Sequence, residues 1–305
     1  MDHELGRELA EVGRAVRDVV RSGRTTSDGL VVRTEGGDDV YGIDARADEV
    51  LIDQLRRRCG ERWPGGLVVE GFDHRVPIGG PGPWTYLADP VDGTRGLLAG
   101  LRSACVLLGA GEGATLLRDL DTAAVVEIPT ARASLGSVAW TTVGGLRAVD
   151  DDLVGGAPPR PAVLEPRAGA DLDRSFVTVV RLLPGGHGPI GEFADEVLDG
   201  WEVYDDLYPS SAGQRMAVAG GAAAAVIDPR ALLHPDGFAT HPYDLAAWAV
   251  AAAAGVVIES VPPGPLRAPI DTETPVPWAA FANESVAELL RPRIAEACRR
   301  RGLVR

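Results

Sequence analysis

The rhythm of apolar segments changes near the middle of the chain, and this change constrains the fold more than any other feature. In the first half, short apolar segments follow one another, and glycine or turn residues separate most of them. This pattern is typical of antiparallel strands joined as a meander. The predicted strands are Leu67–Val69, Trp84–Ala88, Ser103–Gly109, Ala114–Leu117 and Ala123–Ile128. Apolar residues at helical spacing predict two helices before them, over 2–21 and from about 46 to 59.

The second half alternates strands with helices, which predicts an α/β lobe. Strands are predicted over 175–183, 202–204, 223–227 and 255–258. Helices are predicted over 189–198, 212–220, 243–254 and 284–300. A stretch rich in Pro, Gly and Ala lies between the two patterns. We therefore expect an N-terminal α+β lobe over 1–155, a linker over 156–170 and a C-terminal α/β lobe over 171–305.

Charge and composition exclude several function classes. The net charge of −14 argues against a nucleic acid or an anionic membrane as partner, since both require a basic surface. All 30 basic residues are arginine, so a lysine Schiff base is excluded. The three cysteines lie far apart and form no CxxC pair, which fits a reducing compartment and buried apolar roles. The longest apolar run, 245–258, is too short to span a bilayer, and the start of the chain shows no signal-peptide pattern. We expect a cytoplasmic protein.

The strongest chemical signal is the segment DPVDGT at residues 89–94. A largely apolar strand runs directly into it, so Asp89 and Asp92 lie at the end of that strand. Two carboxylates placed in this way bind hard divalent cations, which prefer oxygen ligands. Gly93 permits a sharp bend, and the free N–H groups that follow such a bend suit a phosphate.

This segment resembles the D-P-[IVL]-D-[GS]-[TS] signature of the inositol monophosphatase superfamily, which includes fructose-1,6-bisphosphatases and 3′-phosphoadenosine phosphatases. A second signature of that superfamily, W-D-x-A-A at the start of a helix, is matched by the segment YDLAA at 243–247. Asp244 matches the aspartate, and Tyr243 replaces the tryptophan.

Two further acids match positions of the same superfamily. Glu70 follows a predicted strand and matches the first member of a Glu-Glu pair, whereas Gly71 stands in the place of the second. Asp44 resembles the last acid of a D-x-V-T-x-x-D segment, although Tyr41 stands where threonine is common.

The resemblance implies a layered α-β-α-β-α sandwich of the inositol monophosphatase and sugar phosphatase type. It also implies a homodimer that hydrolyses a small phosphorylated metabolite, such as an inositol phosphate or a sugar phosphate. The expected cofactor is Mg²⁺, with two or three ions bound, because all proposed ligands are oxygens. By the same resemblance, the first ion is bound by Glu70, Asp89 and the Val91 carbonyl, and the second by Asp89, Asp92 and Asp244.

The resemblance also suggests the remaining site residues. Thr94, oriented by Asp44, would act with Glu70 to position and deprotonate the attacking water. Asp92 and the backbone N–H groups of Gly93 and Thr94 would hold the substrate. The substrate loop of the superfamily corresponds to 208–214, where hydroxyl and amide groups either bind the substrate or cap the following helix. These groups belong to Ser210, Ser211 and Gln214. Arg95 would contact a second phosphate or reach solvent.

Two other interpretations compete with this one. Phosphatases of the haloacid dehalogenase type use a nucleophilic Asp in D-x-D-G-T, but here the spacing is D-x-x-D-G-T. A metal-binding regulatory relative with weak catalysis is the other alternative, and the absent second acid at Gly71 supports it. Trapping of an aspartyl phosphate would favour the first, and metal binding without hydrolysis would favour the second.

Overall fold

The structure, a computed structural model, describes residues 3–22, 29–35, 38–72, 74–142, 145–181, 187–235 and 238–303. The helices are α1 (His3–Ser22), α2 (Gly42–Cys59), α3 (Thr94–Leu98), α4 (His187–Leu198), α5 (Ser211–Ala219), α6 (Arg230–Leu233), α7 (Trp248–Ala253) and α8 (Glu284–Arg300). Within these ranges, no helix is long and apolar enough to cross a bilayer.

The strands form a short hairpin and two larger sheets. The hairpin consists of β1 (Val31–Glu35) and β2 (Asp38–Tyr41). The larger sheet contains β3 (Gly65–Val69), β4 (Val76–Ile78), β5 (Trp84–Asp92), β6 (Ala104–Glu112), β7 (Thr122–Ile128), β8 (Leu135–Thr142), β9 (Gly145–Asp152) and β10 (Arg160–Pro161). The smaller sheet contains β11 (Phe176–Val179), β12 (Ala223–Asp228), β13 (Val257–Ser260) and β14 (Trp278–Phe281).

The larger sheet confirms the predicted meander. Its order is β10-β9-β8-β7-β6-β5-β3-β4, and every neighbouring pair from β5 to β9 is antiparallel. The pairing of β3 with β5 is parallel, so the carboxyl ends of these two strands meet at one edge. In the smaller sheet, β11 is parallel to β12, whereas β14 is antiparallel to both β12 and β13.

Both faces of the larger sheet are buried at its central strands, and strand β6 shows how. Val106 and Leu108 belong to one apolar cluster with α1 and α2, whereas Leu107 belongs to a second cluster with α5 and α7. Alternate residues of a strand point to opposite faces, so one apolar run covers both sides. Full burial of each such side chain contributes about 1.5–3 kcal/mol.

The smaller sheet is also covered on both faces. One face joins the cluster with α5 and α7, and the other packs against α4 and α8. The layers are therefore α1 with α2, the larger sheet, α5 with α7, the smaller sheet, and α4 with α8. This arrangement is the predicted α-β-α-β-α sandwich.

Several predicted elements differ in the structure. The strand predicted over 114–117 is wrong: Leu117–Asp119 forms a 3-10 turn, because the Asp119 carboxylate accepts hydrogen bonds from the N–H groups of Thr115 and Leu116. The helix predicted over 243–254 is divided into a 3-10 turn at Tyr243–Leu245 and α7 from Trp248. In place of the strand predicted over 202–204, there is an isolated β-bridge between Tyr204 and Phe176.

Other predictions concern the linker and the cysteines. The two residues Arg160–Pro161 pair with β9 at the edge of the larger sheet, so the start of the predicted linker is attached to the first lobe. The lobe boundaries themselves stay a prediction. All three cysteines are buried and unpaired, as predicted.

Candidate active site

The predicted DPVDGT acids lie where β5 leaves the larger sheet. Asp89 is 3% exposed and Asp92 is 5% exposed. Asp89 pairs with Leu107 and Asp92 pairs with Cys105, so the register shifts between them. An irregularity of this kind bends the strand and re-aims its side chains. The Asp89 carboxylate accepts a hydrogen bond of 2.9 Å from the N–H of Val91, which fixes it inside this bend.

The turn after these acids requires glycine. Gly93 has a φ of 100°, and a Cβ atom there would lie 2.9 Å from the carbonyl oxygen of Pro209. A larger residue would therefore be strained by its own backbone and by the neighbouring loop. The chain turns sharply and starts α3 at Thr94.

Asp244 comes from the opposite side, in the 3-10 turn before α7. Its carboxylate accepts a hydrogen bond of 2.6 Å from the N–H of His241, which closes the turn. The turn packs tightly on β6, because a Cβ atom on Gly109 would lie only 2.1 Å from the carbonyl oxygen of Ala246. The side chain of Asp244 is thereby brought to the end of β5.

Asp89, Asp92 and Asp244 form the acid cluster. Each offers one carboxylate oxygen such that the three oxygens lie within 4.8 Å of one another. Burial and the charges of Asp92, Glu70 and Asp244 raise the pKa of Asp89 well above its usual range. Asp89 and Asp92 are buried and Asp244 is half-buried. Like charges this close repel one another, and a bound cation would remove that repulsion. The all-oxygen donor set fits Mg²⁺.

Glu70 follows β3, next to the acid cluster. Since β3 and β5 are parallel with Val69 opposite Ala88, the next residues, Glu70 and Asp89, lie side by side. The hydroxyl of Tyr243 donates a hydrogen bond of 3.3 Å to the Glu70 carboxylate. Tyr243, which stands where the superfamily has tryptophan, thus contacts Glu70. Glu70 is the acid that is followed here by Gly71 and not by a second acid.

Asp44 and Thr94 form a pair between α2 and α3. The Asp44 carboxylate accepts from the N–H of Tyr41 at 2.8 Å through one oxygen and from the Thr94 hydroxyl at 2.8 Å through the other. The Thr94 hydroxyl also lies 2.7 Å from the Val91 carbonyl oxygen. A hydroxyl has one proton to donate. The Thr94 hydroxyl therefore donates to one of these two acceptors at a time, the Asp44 carboxylate or the Val91 carbonyl.

The N-terminus of α5 holds Asp92. The N–H groups of Ser211 and Ala212 donate to its carboxylate at 3.1 and 2.6 Å, and the Ser210 hydroxyl donates at 2.8 Å. Ser210 also accepts from the N–H of Gly213, so it is the N-cap of the helix. The amide of Gln214 donates to the Tyr208 carbonyl. These side chains line the cleft but also organise its wall, so their substrate contacts stay a prediction.

All predicted site residues surround one cleft. Its walls are formed by Asp44, Glu70, Asp89, Val91, Asp92, Gly93, Thr94, Arg95, Ser210, Ser211, Gln214 and Asp244. It contains about 740 Å³ of space free of protein atoms, part of it open to solvent.

The sequence analysis missed several residues of this region. Arg230 and Phe238 line the cleft, and the guanidinium groups of both Arg95 and Arg230 lie over the Phe238 ring, at 5.3 and 5.1 Å from its centre. Arg215 is buried behind the cleft wall at 2% exposure. Arg215 could have been singled out from the sequence, because it is an arginine on the apolar face of a predicted helix. No local pattern marked Phe238.

Comparisons with known proteins support the fold. No protein-family model and no curated protein matches the sequence. Fructose-1,6-bisphosphatase of Leishmania major in its holo form matches the structure with a TM-score of 0.72 at 14% identity, over 94% of this chain and 92% of the other. The SuhB protein of Bartonella henselae matches with 0.62 at 17% identity, over 94% and 97%. Inositol monophosphatase from Anabaena matches with 0.58 at 14% identity, over 97% and 96%. The chain therefore has the fold of the inositol monophosphatase-like superfamily.

Proposed function

We propose that this protein is a Mg²⁺-dependent phosphomonoesterase that hydrolyses a small phosphorylated metabolite with water as the nucleophile. The observation that carries the proposal is the acid cluster: three carboxylates, two of them buried, whose oxygens lie within 4.8 Å of one another in the wall of one cleft. The structural neighbours, fructose-1,6-bisphosphatase and inositol monophosphatase, support a phosphatase.

The acids would hold the cations in two overlapping groups. Glu70, Asp89 and the Val91 carbonyl provide oxygens on one side, and Asp89, Asp92 and Asp244 provide them on the other. Bound Mg²⁺ would lower the pKa of a water and neutralise charge on the phosphoryl group. The proposal includes two or three ions.

The Asp44–Thr94 pair would orient the water. Asp44 accepts the Thr94 proton, so the Thr94 oxygen presents a lone pair toward the cleft. A water that donates there is held with its own lone pair directed at the phosphorus, and Glu70 accepts its second proton. The N–H groups of Gly93 and Thr94 would bind the phosphate oxygens as the chain enters α3.

The test is phosphate release from a panel of inositol phosphates, sugar phosphates and nucleotide 3′-phosphates, with Mg²⁺ and with chelator. The wild type is compared with Asp244→Asn, which keeps the size of the side chain. Asp195→Asn is the matched control, since Asp195 is exposed on α4 in an outer layer. We expect Mg²⁺-dependent release that is lost in Asp244→Asn and unchanged in Asp195→Asn.

The panel also tests the regulatory alternative, which Gly71 favours because it replaces a second acid. A folded wild type that binds Mg²⁺ but releases phosphate from no panel member would support that alternative. Release that chelator leaves intact would contradict the proposed role of the acid cluster. The homodimer stays a prediction, to be measured by light scattering.

A further inference from the structure

One buried charge near the site has no role in the mechanism above. Arg215, in the middle of α5, is 2% exposed. Both terminal nitrogens of its guanidinium are buried and have no hydrogen-bond partner among the residues that the structure describes. The group lies 5.5 Å from the centre of the Trp278 ring. Buried polar groups in proteins are nearly always hydrogen-bonded, so an unpartnered guanidinium requires a physical reason.

The position of Arg215 supplies that reason. It lies one helical turn after Ser211 and Ala212, whose N–H groups bind the Asp92 carboxylate. The carboxylates that attract its charge are those of the acid cluster. Arg215 is not among the described residues that line the cleft, so it acts from behind the wall and does not meet the substrate.

Arg230 is also buried beside the cleft, but it is already paired with Asp228. Arg215 is a fixed positive charge one helical turn after the N–H groups that hold Asp92, and a charge in this position offsets part of the repulsion among the three carboxylates. The same positive charge repels any divalent cation that the carboxylates bind.

We propose that Arg215 is a positioning residue, a built-in countercharge that stabilises the acid cluster in the metal-free protein and weakens its hold on divalent cations. This inference rests on the proposed function only in that the acid cluster binds cations. It does not depend on which substrate is hydrolysed.

The experiment is titration of Mg²⁺, and separately of Mn²⁺, into metal-free full-length protein, followed by calorimetry. In Arg215→Met, which keeps much of the apolar volume and removes the charge, we expect a dissociation constant at least about tenfold lower than in the wild type. The melting temperature in chelator is expected to fall, and its gain on addition of Mg²⁺ to grow, since a ligand that binds the folded state stabilises it according to its affinity.

Three variants separate charge from packing. Arg215→Lys keeps the charge and is expected to restore cation affinity near that of the wild type. Arg215→Gln removes the charge but keeps polar atoms, and serves if Arg215→Met does not fold. Arg17→Met is the matched control, because Arg17 is also buried, at 4% exposure, but pairs with Asp151. It should lower the melting temperature without changing cation affinity.

The outcomes distinguish the two proposals. Unchanged or weaker cation binding in folded Arg215→Met or Arg215→Gln would overturn the countercharge role and leave the proposed function intact. A wild type that binds neither Mg²⁺ nor Mn²⁺ would overturn both, because the acid cluster would then not be a cation site.

Discussion

Two groups of buried charges lie close to the cleft, and the structure balances them in opposite ways. In the closed group, Arg230 donates to both oxygens of Asp228, at 2.9 and 2.7 Å, and Thr240 bonds to the same carboxylate at 2.6 Å. In the acid cluster, the carboxylates of Asp89, Asp92 and Asp244 face one another, and the nearby Arg215 forms no direct ion pair in the structure.

The two arrangements of charge have different consequences for stability. A buried ion pair with complete hydrogen bonding is self-sufficient, and removal of one partner leaves an uncompensated charge. Like charges placed close together are stabilised by a cation that binds between them. We therefore expect substitutions in the closed group to act on stability and substitutions in the acid cluster to act on cation binding.

The largest expected effect is on the closed group. Asp228→Asn should lower the free energy of unfolding by about 3–5 kcal/mol, because it removes the negative charge that accepts two hydrogen bonds from the buried Arg230. Urea unfolding in chelator measures this change. Glu284→Gln is the control: its ion pair with Arg291 is 60% exposed on the glutamate side, and exposed pairs contribute little to stability. Equal effects of the two substitutions would contradict the distinction.

In the acid cluster, a substitution is expected to raise stability and not to lower it. Asp89→Asn removes one like charge from the acid cluster, so the metal-free protein should become more stable, while phosphate release falls by at least about a hundredfold. Melting temperature in chelator and initial rates with Mg²⁺ measure the two effects. Asp195→Asn should change neither. A large loss of stability in Asp89→Asn would mean that this carboxylate is structural, like Asp228.

A third group of charges, distant from the cleft, also pairs a carboxylate with arginines. Its contribution to stability can be tested by changing the pH. Asp151, at 7% exposure, accepts hydrogen bonds of 2.8 Å from both Arg14 and Arg17. Burial alone would raise the pKa of Asp151, but these bonds and charges outweigh it and hold the pKa below its usual value. Its stabilisation is therefore present above about pH 4, the ordinary pKa of an aspartate, and is lost as the pH falls through the lower folded value.

Asp151→Asn should accordingly cost about 2 kcal/mol at pH 7, and the difference from wild type should shrink below about pH 4. Urea unfolding at both pH values measures it. The exposed Asp173→Asn, on the loop before β11, should cost less at pH 7. A difference that stays constant with pH would show that the charge of Asp151 is not what stabilises the group.

The comparison also shows what the sequence could predict. Asp89, Asp92 and Gly93 form one short segment, so their chemistry is visible locally, and the resemblance to the inositol monophosphatase superfamily predicted the layers. The partners of Asp92 lie 118 to 120 residues away, and those of Glu70 lie 173 away. Such contacts depend on how the sheets stack, which no local pattern contains. The division of the helix at 243–254 was missed for the same reason: the close approach of Ala246 to Gly109 fixes that turn.

The smallest expected effect concerns the contact between Tyr243 and Glu70. Tyr243→Phe removes the hydroxyl that donates to Glu70 and keeps the ring that stacks on His241, with ring centres 5.6 Å apart. A side chain that orients a ligand without binding the cation typically changes cation affinity by about tenfold or more. We expect about tenfold weaker Mg²⁺ binding by calorimetry, with an unchanged melting temperature in chelator. Tyr204→Phe, at an exposed position, is the control. Unchanged affinity in Tyr243→Phe would show that the hydrogen bond from Tyr243 does not position Glu70 for cation binding.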